Sequence, residues 1–205
     1  MRKAFEGKIP TIVHTYEGWG VMQTLRMFCD EHGLEVIPTH TAGGGYVVGD
    51  EAGKREGAHI NIGPRVLDFT WGAEYDGRFH GMGAEYHRRG VKNLSINTDA
   101  VGWSHFIAPQ EELFFQAAMS ARLGLEELMA MKAITINSAR ALGIDDRVGS
   151  LEVGKDADIV VKKGTLLDVT APVDLVLVNG RIAHRRTGAD LVVKQQVSTA
   201  DAKGR

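Results

Sequence analysis

Three short apolar runs in this chain each end in a side chain that can bind a metal ion. Residues 9–14 end in His14, residues 34–40 in His40, and residues 94–99 in Asp99. Two imidazoles and a carboxylate delivered to one place make part of the ligand set of a hydrolytic metal centre. A carboxylate beside an activated water can also accept its proton and return it to a departing amine. The set is incomplete as it stands, because the chain contains no His-x-His pair.

The elements around these residues alternate in type. After the run ending at His14, Val21, Leu25 and Phe28 recur at i, i+4 and i+7, which predicts an amphipathic helix closed by Gly33. The strand over 34–39 leads into His40 and the flexible Gly43-Gly44-Gly45, followed by a short helix over 47–55. A third apolar run, 58–62, stops at Gly63-Pro64, and the mixed segment 71–89 carries a helical pattern ended by Gly90. After Asp99, Pro109 opens a helix through Leu113, Phe114, Ala117, Ala118 and Ala121. Helices over 125–134 and 137–142 follow, the second stopped by Gly143. Strands alternating with helices, with chemistry at the strand C-terminal ends, are the pattern of a (β/α) barrel. From residue 149 the pattern turns to strands, at 158–161, 173–178 and 181–184, with a two-residue Asn179-Gly180 hairpin turn. The small polar end, 197–205, is expected to fray.

Composition narrows the function classes. The chain has 205 residues, 43% hydrophobic and 24% charged, an ordinary globular balance. A net charge of -2 gives no footprint for nucleic acid or an anionic membrane. No apolar run approaches the roughly 20 residues that span a bilayer, and residues 1–8 have no apolar core of a signal peptide. Cys29 is the single cysteine, so no intramolecular disulfide is expected and a reducing cytoplasm fits. Beside Met27 and Phe28 it reads as a small packed hydrophobe.

The segment 150–161, Ser-Leu-Glu-Val-Gly-Lys-Asp-Ala-Asp-Ile-Val-Val, resembles the return segment of the amidohydrolase superfamily, where the chain leaves the barrel and re-enters a small β-sandwich. Residues 133–143 resemble the last barrel helix of the same enzymes, and 173–181 their closing sandwich strands. The nearest look is of imidazolonepropionase-like and prolidase-like metal-dependent hydrolases. The resemblance implies that His14 and His40 end the fifth and sixth barrel strands and ligate or orient a divalent metal, and that Asp99 ends the eighth. It gives Asp99 metal contact and proton transfer from the activated water to the leaving nitrogen, with His40 beside it in the catalytic set. The family's His-x-His on the first strand, and its bridging lysine or glutamate on the fourth, have no counterpart here.

The resulting expectation is an α/β protein: the second half of a (β/α)8 TIM barrel, strands five to eight, followed by part of a β-sandwich. Residues 1–147 would be the half-barrel, 148–190 the sandwich strands, and 191–205 a tail. A complete barrel takes about 250 residues, and open strand edges are usually covered. A second polypeptide carrying strands one to four with the His-x-His is therefore expected, unless the chain is the C-terminal piece of a longer product. Cofactor and partners follow: zinc as the divalent metal, about one or two ions per complete barrel, a small-molecule amide substrate, and an oligomeric assembly. The expected reaction is hydrolysis of a non-peptide C–N bond, in a cyclic amide or an N-acyl amino acid, by a metal-activated water. The alternatives are a non-catalytic scaffold subunit or pseudoenzyme of the same fold, and a truncation with no role of its own.

Other residues receive lesser roles. His105, Tyr46 and Trp103 are candidate substrate contacts on rim loops, with Trp19 and Trp71 nearby; for all these aromatics, packing under loops is the competing reading. His59, inside its strand, is expected to make an interior polar contact. His32, His80, His87 and His184 read as surface or packing residues. The glycine cluster at 43–45 supplies conformational freedom or, less simply, an anion cradle.

Overall fold

The computed structural model describes residues 2–64, 66–68, 78–99 and 109–187. A one-turn helix, α1 (Arg2–Phe5), precedes β1 (Thr11–Tyr16). Helix α2 (Glu17–Leu25) continues into a π-helical turn, Arg26–Glu31, before β2 (Val36–Ala42). Val21 and Leu25, on one stripe of α2, are fully buried, and Phe28 packs beside them, as the i, i+4, i+7 spacing requires. The segment after the glycines forms a 3-10 turn, Gly45–Val48, and one helical turn, α3 (Gly49–Ala52). Strand β3 (Ile60–Ile62) follows, then two short antiparallel partners, β4 (Leu67–Asp68) and β5 (His80–Gly81), and helix α4 (Met82–Arg88). Strand β6 (Leu94–Ile96) leads to three helices: α5 (Pro109–Arg122), α6 (Glu127–Ala133) and α7 (Ile136–Ala141). The mixed pattern of 71–89 resolves into α4 at its C-terminal end, and 71–77 lie outside the described residues.

Four strands make one parallel sheet in the order β1-β2-β3-β6. One face packs against α2 and α4, where Ile60, Ile62, Met82, Tyr86 and Leu94 are fully buried. Because side chains alternate along a strand, the residues between these face the other way. The register aligns His14 with Thr39, Thr39 with Asn61, and Asn61 with Ser95, so one polar row crosses all four strands on the opposite face. Ile12 pairs with Ile37 one row toward the strand N-termini, giving that face an apolar base.

The C-terminal strands form a separate antiparallel sheet: β7 (Ile159–Lys162), β8 (Val173–Val178) and β9 (Arg181–Arg185). Asn179 and Gly180 both take positive φ, 51° and 72°, the pair a tight type I′ hairpin requires. Lys162 places Nζ 3.7 Å from the centroid of the Phe114 ring, tying this sheet to α5 through a cation–π contact. Among the described residues no helix is long and apolar enough to cross a membrane.

Candidate metal centre at the strand ends

His14 and His40 come together. Their ring centroids are 4.6 Å apart and the planes are tilted by 59°. His14 belongs to the polar row, but His40 follows Thr39 and in a regular pleat would point toward the helices. The backbone changes direction there: His40 and Thr41 have φ of 71° and 50°, and the β1–β2 register slips between Thr15 and Tyr16. A non-glycine residue with positive φ is uncommon and costly, and such residues gather at functional sites. Glu17 (φ 60°) and Asp99 (φ 47°) share the feature, so four of them sit in the last three residues of a strand or within three residues after one.

The tautomer of His40 follows from its partner. Nδ1 lies 2.7 Å from the carbonyl oxygen of Gly63, and a carbonyl can only accept, so Nδ1 carries the hydrogen. In the neutral ring this leaves the lone pair on Nε2, the arrangement typical of a metal-ligating histidine held by a backbone carbonyl. Asp99 stands three residues past β6, exposed, with its backbone N–H donating to Asn97 Oδ1 at 3.0 Å. His40 and Asp99 line the same cavity, about 480 Å³, whose floor is Ile12, Ile37, Thr39, Asn61 and Ser95. The two imidazoles fit part of a divalent-metal site, in which catalytic zinc takes three protein ligands. Among the described residues no group of three or more His, Cys, Asp or Glu side chains is close enough to complete one.

Tyr46 requires a correction. Expected as a rim contact to substrate, it is fully buried on the 3-10 turn, its ring stacked 5.3 Å from His80, with the Arg89 guanidinium 5.4 Å from its centroid. Apolar area and a cation–π contact draw it into the core. Trp103 and His105 lie outside the described residues, as does Trp71. Trp19 is on the rim and exposed, with Nε1 donating to Glu17 Oε2 at 2.9 Å. His80 packs in the interior against Glu85, Nδ1 to Oε1 3.1 Å. His59 is buried between Ala58 and Ile60, which face the helices, and burial holds its pKa below the ordinary histidine value while Glu35 partly opposes the shift.

Asn61, Ser95 and Asn97 were not anticipated as site residues. Asn61 Nδ2 donates to Ser95 Oγ at 2.8 Å, and Asn97 Nδ2 donates to Asn61 Oδ1. The available signal was alternation: Asn61 between Ile60 and Ile62, and Ser95 and Asn97 around Ile96, put polar groups on one face of otherwise apolar strands.

Comparisons with known proteins bear on the fold and the family. Residues 83–183 match the model of the amidohydrolase family. A 5-methylthioadenosine/S-adenosylhomocysteine deaminase of Thermoanaerobacter pseudethanolicus is 31% identical over 120 residues, covering 46% of this chain and 26% of that protein. An imidazolonepropionase of Shewanella baltica is 42% identical over 77 residues, 32% of this chain and 17% of the relative. Among solved structures, an amidohydrolase from Thermotoga maritima superposes with a TM-score of 0.71 and 28% identity over 90% of this chain and 46% of the other. The chain thus spans about half the length of that solved structure, and its aligned segments cover about a quarter or less of the two curated relatives. Residues 83–183 thus carry a domain of the amidohydrolase family, and the chain is similar to deaminase and imidazolonepropionase relatives and to a solved amidohydrolase.

Proposed function

We propose that this chain contributes His14, His40 and Asp99 to a metal-dependent amidohydrolase that cleaves a non-peptide C–N bond. The observation that carries the reading is the His14–His40 pair at the strand ends, with His40 locked by Gly63 into the tautomer that frees Nε2. The relatives, a deaminase and an imidazolonepropionase, are hydrolases of C–N bonds, and the substrate follows as a cyclic amide, an N-acyl amino acid or an aminated ring. A divalent cation, zinc foremost, supplies Lewis acidity when bound and makes water acidic enough to attack near neutral pH. His14 and His40 are the residues that would hold it.

Asp99 does the proton work. Exposed at the cavity wall, its carboxylate takes the proton from the attacking water and delivers it to the leaving nitrogen. Ile12 and Ile37 give the cavity an apolar base, of which Ile37 is buried, while Thr39, Asn61 and Ser95 set a polar floor.

The rest of the site comes from elsewhere. The parallel sheet is the second half of a (β/α)8 barrel and the antiparallel sheet is part of a β-sandwich, divided near residue 147. The complementary strands, with a His-x-His, come from a second polypeptide or from another part of a longer product, in a cytoplasmic, oligomeric assembly. A scaffold role would leave three chemically competent strand ends without purpose.

The test is Asp99→Asn in the completed assembly, with metal content measured first. An amide cannot accept the proton, so kcat should fall ~10²–10⁴-fold. His105→Ala should mainly raise KM if that side chain only binds substrate. Near-native kcat in a fully metallated Asp99→Asn protein would put the scaffold reading ahead.

A further inference from the structure

We propose that Asn97 is a positioning residue that holds Asp99 and His40 in one fixed relation through the carbonyl of Gly63. The inference rests on the reading of His40 and Asp99 as site residues. It comes from the bonds that the Asn97 carboxamide makes at both ends.

At one end Asn97 Nδ2 donates to Ile62 O at 3.0 Å, to Gly63 O at 3.3 Å and to Asn61 Oδ1. At the other, Oδ1 accepts the backbone N–H of Asp99 at 3.0 Å. The amide has one orientation only, since flipping it would set its oxygen against two carbonyls and its NH2 against an N–H. Asn97 N–H also donates to Ile62 O at 2.8 Å, so the residue is fixed by backbone and side chain together. The bond to Asp99 spans two residues and supports the left-handed turn at φ 47°, a region that aspartate tolerates better than most residues but still at a cost in free energy.

Gly63 O is the shared element, accepting from His40 Nδ1 at 2.7 Å and from Asn97 Nδ2. Its position is set tightly: Gly63 has φ 109°, and a Cβ there would come within 2.3 Å of Asn97 O and 2.6 Å of Gln116 Oε1. One carboxamide therefore links the carbonyl that selects the His40 tautomer to the turn that presents Asp99. The Nδ2 end acts on His40 and the Oδ1 end on Asp99, so the two effects are separable by substitution.

The experiment uses isotope-labelled full-length chain in its native assembly, with two readouts: amide exchange at Asp99 and the ring nitrogen shifts of His40. Asn97→Ala removes both ends, so Asp99 exchange should speed up about tenfold, one hydrogen bond's worth, and the His40 ring signals should move. Asn97→Asp keeps an acceptor for the Asp99 N–H but has no donor for Gly63 O. It should leave Asp99 protected while the His40 signals still move. That split supports the proposal, whereas a general packing role would disturb both together or neither. If Asn97→Ala does not fold, Asn97→Asp alone decides: the split supports positioning, and a uniform change overturns it. Addition of Zn2+ separates this inference from the metal reading. A wild-type His40 ring that does not respond to Zn2+ counts against the metal reading, and the exchange split still judges Asn97. Where the wild-type ring does respond, Zn2+ binding weakened about tenfold in Asn97→Ala supports positioning, and equal binding in both proteins overturns it.

Discussion

His59 shows how burial dominates the behaviour of a titratable residue. It lies on the same face as the polar row, but toward the strand N-termini, away from His14 and His40. Desolvation disfavours its charged form and holds its folded-state pKa down, with Glu35 pulling weakly the other way. The unfolded chain then binds a proton more readily than the folded one between the depressed value and the ordinary one, ~6.5. Stability from this residue is complete above ~6.5 and is lost as the pH falls toward the folded value. Thermal melts from pH 7.5 to 5 should show that decline, and His59→Gln should flatten it; an unchanged acid slope in the variant would assign the effect elsewhere. Cys29 is governed similarly. Burial first, and the neighbouring Asp30 second, raise its thiol pKa, so the native thiol should react with a maleimide more slowly than the unfolded one at pH 7.

At the scale of elements, the sequence carried more of the helices than of the strand ends. The stripe of Val21, Leu25 and Phe28 and the Asn179-Gly180 turn were legible because period and turn chemistry are local. Leu25 is fully buried, and Leu25→Ala should cost ~2–5 kcal/mol in denaturant unfolding. The strand ends were less legible. β1 and β2 run two residues beyond His14 and His40, while β6 stops three short of Asp99. His40, one of the positive-φ residues there, is bonded to Gly63 O from beyond β3, a tertiary contact that no local pattern reveals. Tyr46 was ambiguous for the same reason: its place beside a predicted rim loop allowed either a substrate contact or packing, and His80 and Arg89, 34 and 43 residues further on, make it core. Gly63 exemplifies a position fixed by tertiary contact. Gly63→Ala meets the Asn97 backbone and an unfavourable φ, so it should destabilise the chain by more than ~1 kcal/mol, read as a lowered melting temperature. An unaltered melt would mean that the β3 C-terminus relaxes freely.

For the whole molecule, the sheet leaves two strands at its margins, β1 and β6, and Ile12 on β1 is exposed. Parallel sheets are normally covered on both faces, and unpaired edges invite other strands. The chain alone should therefore be dimeric or aggregated by size exclusion with light scattering, and soluble with its complement; a stable, well-folded monomer would count against the split-barrel proposal. In the proposed site, His14 and His40 are half of a metal centre completed by strands outside this sheet. Metal analysis of the purified native assembly, wild type against the His14→Ala, His40→Ala double variant, tests it most directly. The wild type should hold about one or two ions per completed barrel, the isolated chain should retain little, and the double variant should lose them. Stoichiometric metal held tightly by the double variant, or by the isolated chain, would contradict it.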